Sequence, residues 1–152
     1  FVVLGSGDWE YEQFFKEMQA KYPGRFVLCQ GFVPELARKI YGGSDIFLMP
    51  SKSEPCGLSQ MVALRYGSIP VVRETGGLKD SITDSGDGKG NGFTFQTYDT
   101  QDMLNSVHRA IYAYNESKDG WKVLVERAMA CDNSWGRSAN DYIRLYKQLI
   151  NS

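Results

Sequence analysis

Histidine and cysteine are scarce in this chain, with one His and three Cys among 152 residues. Cys29, Cys56 and Cys131 form an odd, widely spaced set, and no C-x-x-C pair occurs. That excludes a disulfide framework and a Cys-rich zinc site, so reduced thiols in a cytoplasmic protein are the expectation. A Ser-His-Asp triad or a His-based metal site would have to be built on His108 alone. Its neighbours Val107, Ala110 and Ile111 share a helical face, so His108 is read as structural. No apolar run approaches the roughly 18 residues of a membrane span. Neither sign of charge is in excess: 17 Lys plus Arg against 18 Asp plus Glu leave a net charge of -1. A strongly basic nucleic-acid binder and an acidic disordered tail are therefore excluded. Phe1 to Gly5 has no basic lead-in and no initiator Met, and is read as chain entered in mid-fold rather than as a signal peptide.

What is present is a regular alternation. Phe1–Leu4 and Ile46–Met49 are apolar runs, and with Arg25–Gln30, Ile69–Arg73 and Phe93–Phe95 they read as strands. Between them, Trp9–Tyr22, Glu35–Tyr41 and Leu58–Tyr66 carry helical spacing, the last with Met61, Val62 and Leu64 available for packing. Thr83–Gly92 holds four glycines and reads as a surface loop. Asp99–Asn115, Trp121–Ala130 and Trp135–Ile150 follow as helices. The stripe from Trp135 to Ile150 is expected to pack, at least in part, on this domain. Strands that are apolar throughout, alternating with helices, imply an α/β fold: a parallel sheet with helices on both faces, in three layers. One domain over 1–152 is expected, with 99–152 as its closing helices. Ligands in such folds sit beyond the carboxyl ends of the strands. The loops to inspect are Gly5–Asp8, Gly31–Pro34, Pro50–Gly57 and Glu74–Gly77.

Gly5-Ser6-Gly7 opens like a dinucleotide fingerprint, but its third glycine position is Glu10, a carboxylate that would oppose pyrophosphate. A tight turn is preferred there. Pro50-Ser51-Lys52-Ser53-Glu54-Pro55-Cys56-Gly57 joins an apolar strand to a helix beginning near Leu58. A helix start offers unpaired N–H groups and partial positive charge, so the amides of Gly57, Leu58 and Ser59 can hold a phosphate or a sugar hydroxyl. With Glu54 just ahead of them, the loop suits a sugar nucleotide; read alone, it suits a solvated turn equally well. The same two readings hold for Arg73-Glu74-Thr75-Gly76-Gly77, again directly after a strand.

Glu54-Pro55-Cys56-Gly57-Leu58-Ser59-Gln60, followed by Arg65-Tyr66-Gly67-Ser68-Ile69-Pro70-Val71-Val72-Arg73-Glu74-Thr75-Gly76-Gly77-Leu78, closely resembles the bacterial glycogen synthase and plant starch synthase family. The resemblance continues through Asn91-Gly92-Phe93, Ser134-Trp135, Tyr142 and Leu145-Tyr146, and spans essentially the whole chain. It implies a retaining GT-B type glycosyltransferase with two Rossmann-like domains. This chain would be most of the C-terminal, nucleotide-sugar-binding domain, its first strand–helix unit lying upstream. The implied reaction moves glucose from ADP-glucose to the non-reducing end of an α-1,4-glucan, with no cofactor and no metal. The implied partners are the donor, the glucan and an N-terminal Rossmann-like domain, with no nucleic acid and no membrane. The implied location is cytoplasmic, or plastidial in a plant.

By position, Glu54 resembles the family's essential acid at the donor glucose. Cys56 and Gly57 resemble the backbone donors to its hydroxyls, and Leu58 and Ser59 the helix-start amides at the diphosphate. Phe32 matches an aromatic that stacks on adenine, and Thr75, Gly76 and Gly77 line the same pocket. Related retaining transferases carry a second Glu eight residues after the first; here that position is Val62, which fits the synthase branch. The family's Arg and Lys that clamp the diphosphate, and the catalytic His of the other domain, lie outside these residues. This polypeptide alone is therefore expected to have no measurable synthase activity, and turnover by the isolated folded chain would contradict that. The other readings are a non-catalytic nucleotide-sugar or glucan-binding module, and a related UDP-glucose-dependent transferase.

Overall fold

A computed structural model describes residues 1–151. The chain forms two compact units, Phe1–Gly43 and the residues from Ser44 onward. In the first unit, β1 (Val2–Gly5) leads through α1 (Trp9–Lys21) to β2 (Val27–Gln30), and α2 (Pro34–Gly43) follows. β1 and β2 are parallel, with Val2 opposite Val27 and Gly5 opposite Gln30. Phe26 stacks between Phe1 and Phe15, at centroid distances of 5.4 and 5.8 Å, which ties α1 to both strand starts. β2 begins two residues later than its apolar run suggests. The N–H groups of Arg25 and Phe26 still bond the Tyr22 carbonyl, closing the turn after α1.

In the second unit, β3 (Ile46–Met49), β4 (Ile69–Arg73) and β5 (Phe93–Phe95) form a parallel sheet in that order. α3 (Ser59–Tyr66) is the crossover from β3 to β4, and α4 (Gly77–Ser81) lies on the connection from β4 to β5. β4 is central, and its residues from Ile69 to Val72 are buried, as a strand covered on both faces should be. α5 (Thr100–Glu116), α6 (Lys118–Met129) and α7 (Trp135–Ile150) complete the unit. α5 starts where the Asp99 carboxylate accepts from the N–H groups of Gln101 (2.9 Å) and Asp102 (3.0 Å). Leu64, Val71, Leu78, Phe93, Trp121 and Leu124 are central to one continuous core.

Three packing expectations are corrected. α3 buries Gln60, Ala63 and Leu64, while Met61 is half-buried and Val62 is exposed. The helix is thus rotated so that a polar residue faces inward. His108 does not pack into α5's inner face but stands exposed beside Arg109. α7 buries none of its stripe: Trp135, Tyr142, Tyr146 and Ile150 are all exposed. No helix among the described residues is long and apolar enough to cross a membrane.

Candidate functional site

Because β3 and β4 are parallel neighbours, with Met49 opposite Val72, the segments that follow them leave the same edge of the sheet side by side. The structure joins these two segments through their backbones. The Gly77 N–H donates to the Glu54 carbonyl at 3.2 Å. A Cβ on Gly76 would meet that same carbonyl, and one on Gly77 would meet the backbone of Cys56. Gly76 also has φ +46°, which L side chains rarely adopt. Two consecutive glycines are therefore required for this close approach. Thr75 is half-buried in the turn, and its carbonyl accepts from the Leu78 N–H at 3.1 Å.

The other half of the site is the start of α3. Gly57 turns the chain at φ +74°, and Leu58 stands as cap residue with no side-chain bond to the helix. The first bond into this turn runs from Val62 N–H to the Leu58 carbonyl at 3.0 Å. Among the described residues, the N–H groups of Gly57, Leu58 and Ser59 have no protein acceptor. The Glu54 side chain is half-buried at the same loop and its carboxylate has no hydrogen-bond partner either. The site thus presents one free carboxylate beside a row of free amide donors, with partial positive charge at the helix start. That arrangement can hold hydroxyls on the acid side and phosphate oxygens on the amide side.

Eight of the nine residues read from the sequence thus come together in the second unit: Glu54, Cys56, Gly57, Leu58, Ser59, Thr75, Gly76 and Gly77. Phe32 belongs to the first unit, on the segment between β2 and α2, and is 92% exposed. The Gly5-Ser6-Gly7 turn is closed to a phosphate at Gly7. The Glu12 carboxylate accepts from the Gly7 N–H at 3.1 Å and from Gln30 Nε2 at 2.7 Å.

Sequence reasoning missed the residues behind the loop. Arg73, at the end of β4, donates through Nε to the Ser51 carbonyl (2.9 Å) and through Nη2 to that of Lys52, which fixes the start of the loop. Gln60 lies wholly buried beneath Cys56 and Gly57. The available signal was the spacing: Gln60, Ala63 and Leu64 stand at i, i+3 and i+4, the pattern of one buried helix face.

A second cleft, of about 780 Å³, opens between the 85–88 loop, α5 and α6, and shares no lining residue with this site. Its arginines are already engaged. Arg109 holds the Asp84 carboxylate in two bonds, at 2.9 and 2.6 Å, and Arg127 donates to the Gly88 carbonyl. Burial raises the Asp84 pKa, but the bonds from Arg109, the Thr94 N–H and the Gly86 N–H outweigh it and hold it at about 2. This network anchors the glycine-rich loop to β5 and α5 and serves the fold. The unpaired acid and amides, rather than this cleft, select the loops after β3 and β4.

A family model for glycosyl transferases group 1 matches residues 1–120. The chain is 54% identical over 151 residues to a glycogen synthase of Geobacillus thermodenitrificans and 50% identical over 152 residues to one of Pseudothermotoga lettingae. It covers 31% of the length of each, while 98% and 99% of the chain is matched. Among solved structures, the catalytic domain of starch synthase IV from Arabidopsis thaliana, bound to ADP and acarbose, superimposes with a TM-score of 0.86 at 40% identity. That match covers the whole of this chain and 32% of the other. A Rossmann-like parallel α/β unit, a paired-loop site at its strand ends and these matches lead to one conclusion: the chain belongs to the group 1 glycosyl transferases, of GT-B fold, and is homologous to the glycogen and starch synthases.

Proposed function

We propose that this chain is the donor-binding C-terminal domain, over 1–152, of a retaining glucosyltransferase that moves glucose from ADP-glucose to the non-reducing end of an α-1,4-glucan. The observation that carries this reading is the pairing of the free Glu54 carboxylate with the acceptor-less amides of Gly57, Leu58 and Ser59 on one loop. Breaking the glucosyl–phosphate bond leaves negative charge on the diphosphate and positive charge on the sugar. Amides fixed at the start of α3 stabilise the departing charge without reorganising, and each such donor is worth roughly 3–4 kcal/mol. Glu54 holds glucose hydroxyls or stabilises the positive sugar. It is not assigned as a nucleophile, since double displacement needs a second carboxylate about 5 Å away. Glu74, the carboxylate at the end of β4, is engaged by Thr94 Oγ1 at 2.7 Å. Phe32 is assigned to the adenine face by resemblance, and its exposed ring is free to stack. Thr75, Gly76 and Gly77 wall the sugar side.

The experiment uses a full-length polypeptide carrying this chain, with a glucan acceptor and either ADP-glucose or UDP-glucose. Wild type is expected to transfer glucose from ADP-glucose. Glu54→Gln should lower kcat by about 100-fold or more while ADP still binds, the usual scale for losing a group that stabilises developing charge. Near-normal turnover by that variant removes Glu54 from the mechanism. Transfer from UDP-glucose alone makes the enzyme a different member of the family. Binding of the donor without transfer makes it a binding module.

A further inference from the structure

We infer that Gln60 is a positioning residue that aims the amide donors of the site, an inference that rests on the function proposed above. Gln60 is completely buried. Its Nε2 lies within hydrogen-bond distance of the Gly57 carbonyl (2.9 Å), the Ser81 hydroxyl (3.1 Å) and the Cys56 carbonyl (3.2 Å), and its two protons are shared among the three. The Ser81 hydroxyl uses its single proton on the Gly77 carbonyl at 2.6 Å, so its oxygen must accept from Gln60. That fixes which way the amide faces: its NH2 end, not its oxygen, points at the loop. The chain Gln60 to Ser81 to Gly77 therefore links the Glu54 loop to the Thr75–Gly77 turn from behind.

The consequence follows from peptide geometry. In a planar trans peptide, the carbonyl of one residue and the N–H of the next point in opposite directions, and no peptide among the described residues is cis. Drawing the Cys56 and Gly57 carbonyls inward onto Gln60 turns the N–H groups of Gly57 and Leu58 outward. These amides have no acceptor among the described residues. Gln60 Oε1, meanwhile, is buried without a partner beneath Gly57. A leucine or methionine would fill the same space and leave no orphaned oxygen, so packing alone does not account for an amide here. The gain is the orientation of two donors toward the ligand.

The test uses Gln60→Met, Ser81→Ala and the double variant in the full-length polypeptide. Four quantities are read: kcat with ADP-glucose, the glucan KM, the thermal midpoint, and hydrogen exchange at the Gly77 amide, which bonds the Glu54 carbonyl. Gln60→Met should lower kcat at least tenfold with a much smaller change in the glucan KM, and should speed Gly77 exchange. Ser81→Ala should do the same more weakly, and the double variant should be no worse than Gln60→Met, because both act through one chain of bonds. Wild-type kcat in Gln60→Met, or a double variant whose losses simply multiply, overturns the inference. If Gln60→Met does not fold, Ser81→Ala decides: an unchanged kcat and unchanged Gly77 exchange overturn it. Should the wild type fail to use ADP-glucose while Gly77 exchange still accelerates in both variants, the brace stands and the donor assignment alone falls.

Discussion

The contact between the two loops makes Gly77→Ala a demanding test. The added methyl carbon would lie 2.6 Å from the Cys56 Cα, and closer still to its carbonyl. Carbon atoms in contact sit about 3.5–4.0 Å apart, so the loops must separate by about 1 Å. Neither neighbour is a flexible side-chain end that can swing aside. Cys56 is held by Gln60 and Glu54 by the Gly77 N–H itself. Overpacking of this kind destabilises by about 1–3 kcal/mol, which a domain of this size tolerates while remaining folded. Catalysis should suffer more, because a misplacement of about 1 Å costs on the order of 100-fold. The assay is kcat for glucose transfer to a glucan by the full-length variant, alongside its thermal midpoint. A variant that keeps kcat within about threefold of wild type would refute the claim that this backbone approach sets the geometry of the site.

Two further outcomes are expected. Phe32→Ala should raise the donor KM several-fold and leave kcat nearly unchanged, because a stacked aromatic contributes to ground and transition states alike; an unaltered KM would show that the ring does not stack on the nucleotide. Asp84 has its pKa lowered from 3.8 to about 2, so the stability it confers is fully present above about pH 4 and is lost as pH falls through 2. At about 1.4 kcal/mol per unit, and reduced for partial exposure, that is about 1–2 kcal/mol. Urea unfolding of wild type and Asp84→Asn should differ at pH 6 and converge toward pH 2; a difference that stays constant with pH would exclude the Asp84–Arg109 pair as its source.

Strand positions and the parallel direction were legible because these strands are largely apolar: β3 coincides with an apolar run, β4 extends one residue past its run to Arg73, and β5 is two phenylalanines about Thr94. α4 was not legible, since five residues hold too little of a helical period to register. The face of α3 was misjudged for a different reason. Apolarity was the criterion, and it chose Met61, Val62 and Leu64; Leu64 is buried, but another inward position belongs to Gln60, whose NH2 group bonds main-chain carbonyls. α7 shows the converse limit. Its stripe marks a helix, but a pattern on one element does not name the surface it meets. At the site, Glu54 could be picked out by residue type. The approach of Gly76 and Gly77 to the Glu54 and Cys56 backbones could not, because main-chain groups carry no letter in a sequence.

The loop after β3 is asymmetric in a way that a purely structural turn need not be. Behind it, every anchor is made: Arg73 on Ser51 and Lys52, Gln60 on Cys56 and Gly57, and Gly77 on Glu54. In front, the Glu54 carboxylate and the first amides of α3 have no bonding partner among the described residues. A helix start is ordinarily closed by Ser, Thr, Asp or Asn in extended geometry, for about 1 kcal/mol. Here the cap position is Leu58 at φ −112° and ψ −29°, a helical conformation from which a short polar side chain does not fold back onto the first turn. Leu58 is also 70% exposed, so it is not kept there for the core. α3 thus joins α1, α4, α6 and α7 in lacking a side-chain cap, and its start is backed by the anchors just named. Rigid backing with an open front is what electrostatic stabilisation of a departing phosphate requires, since donors that had first to leave a protein partner would lose much of their advantage.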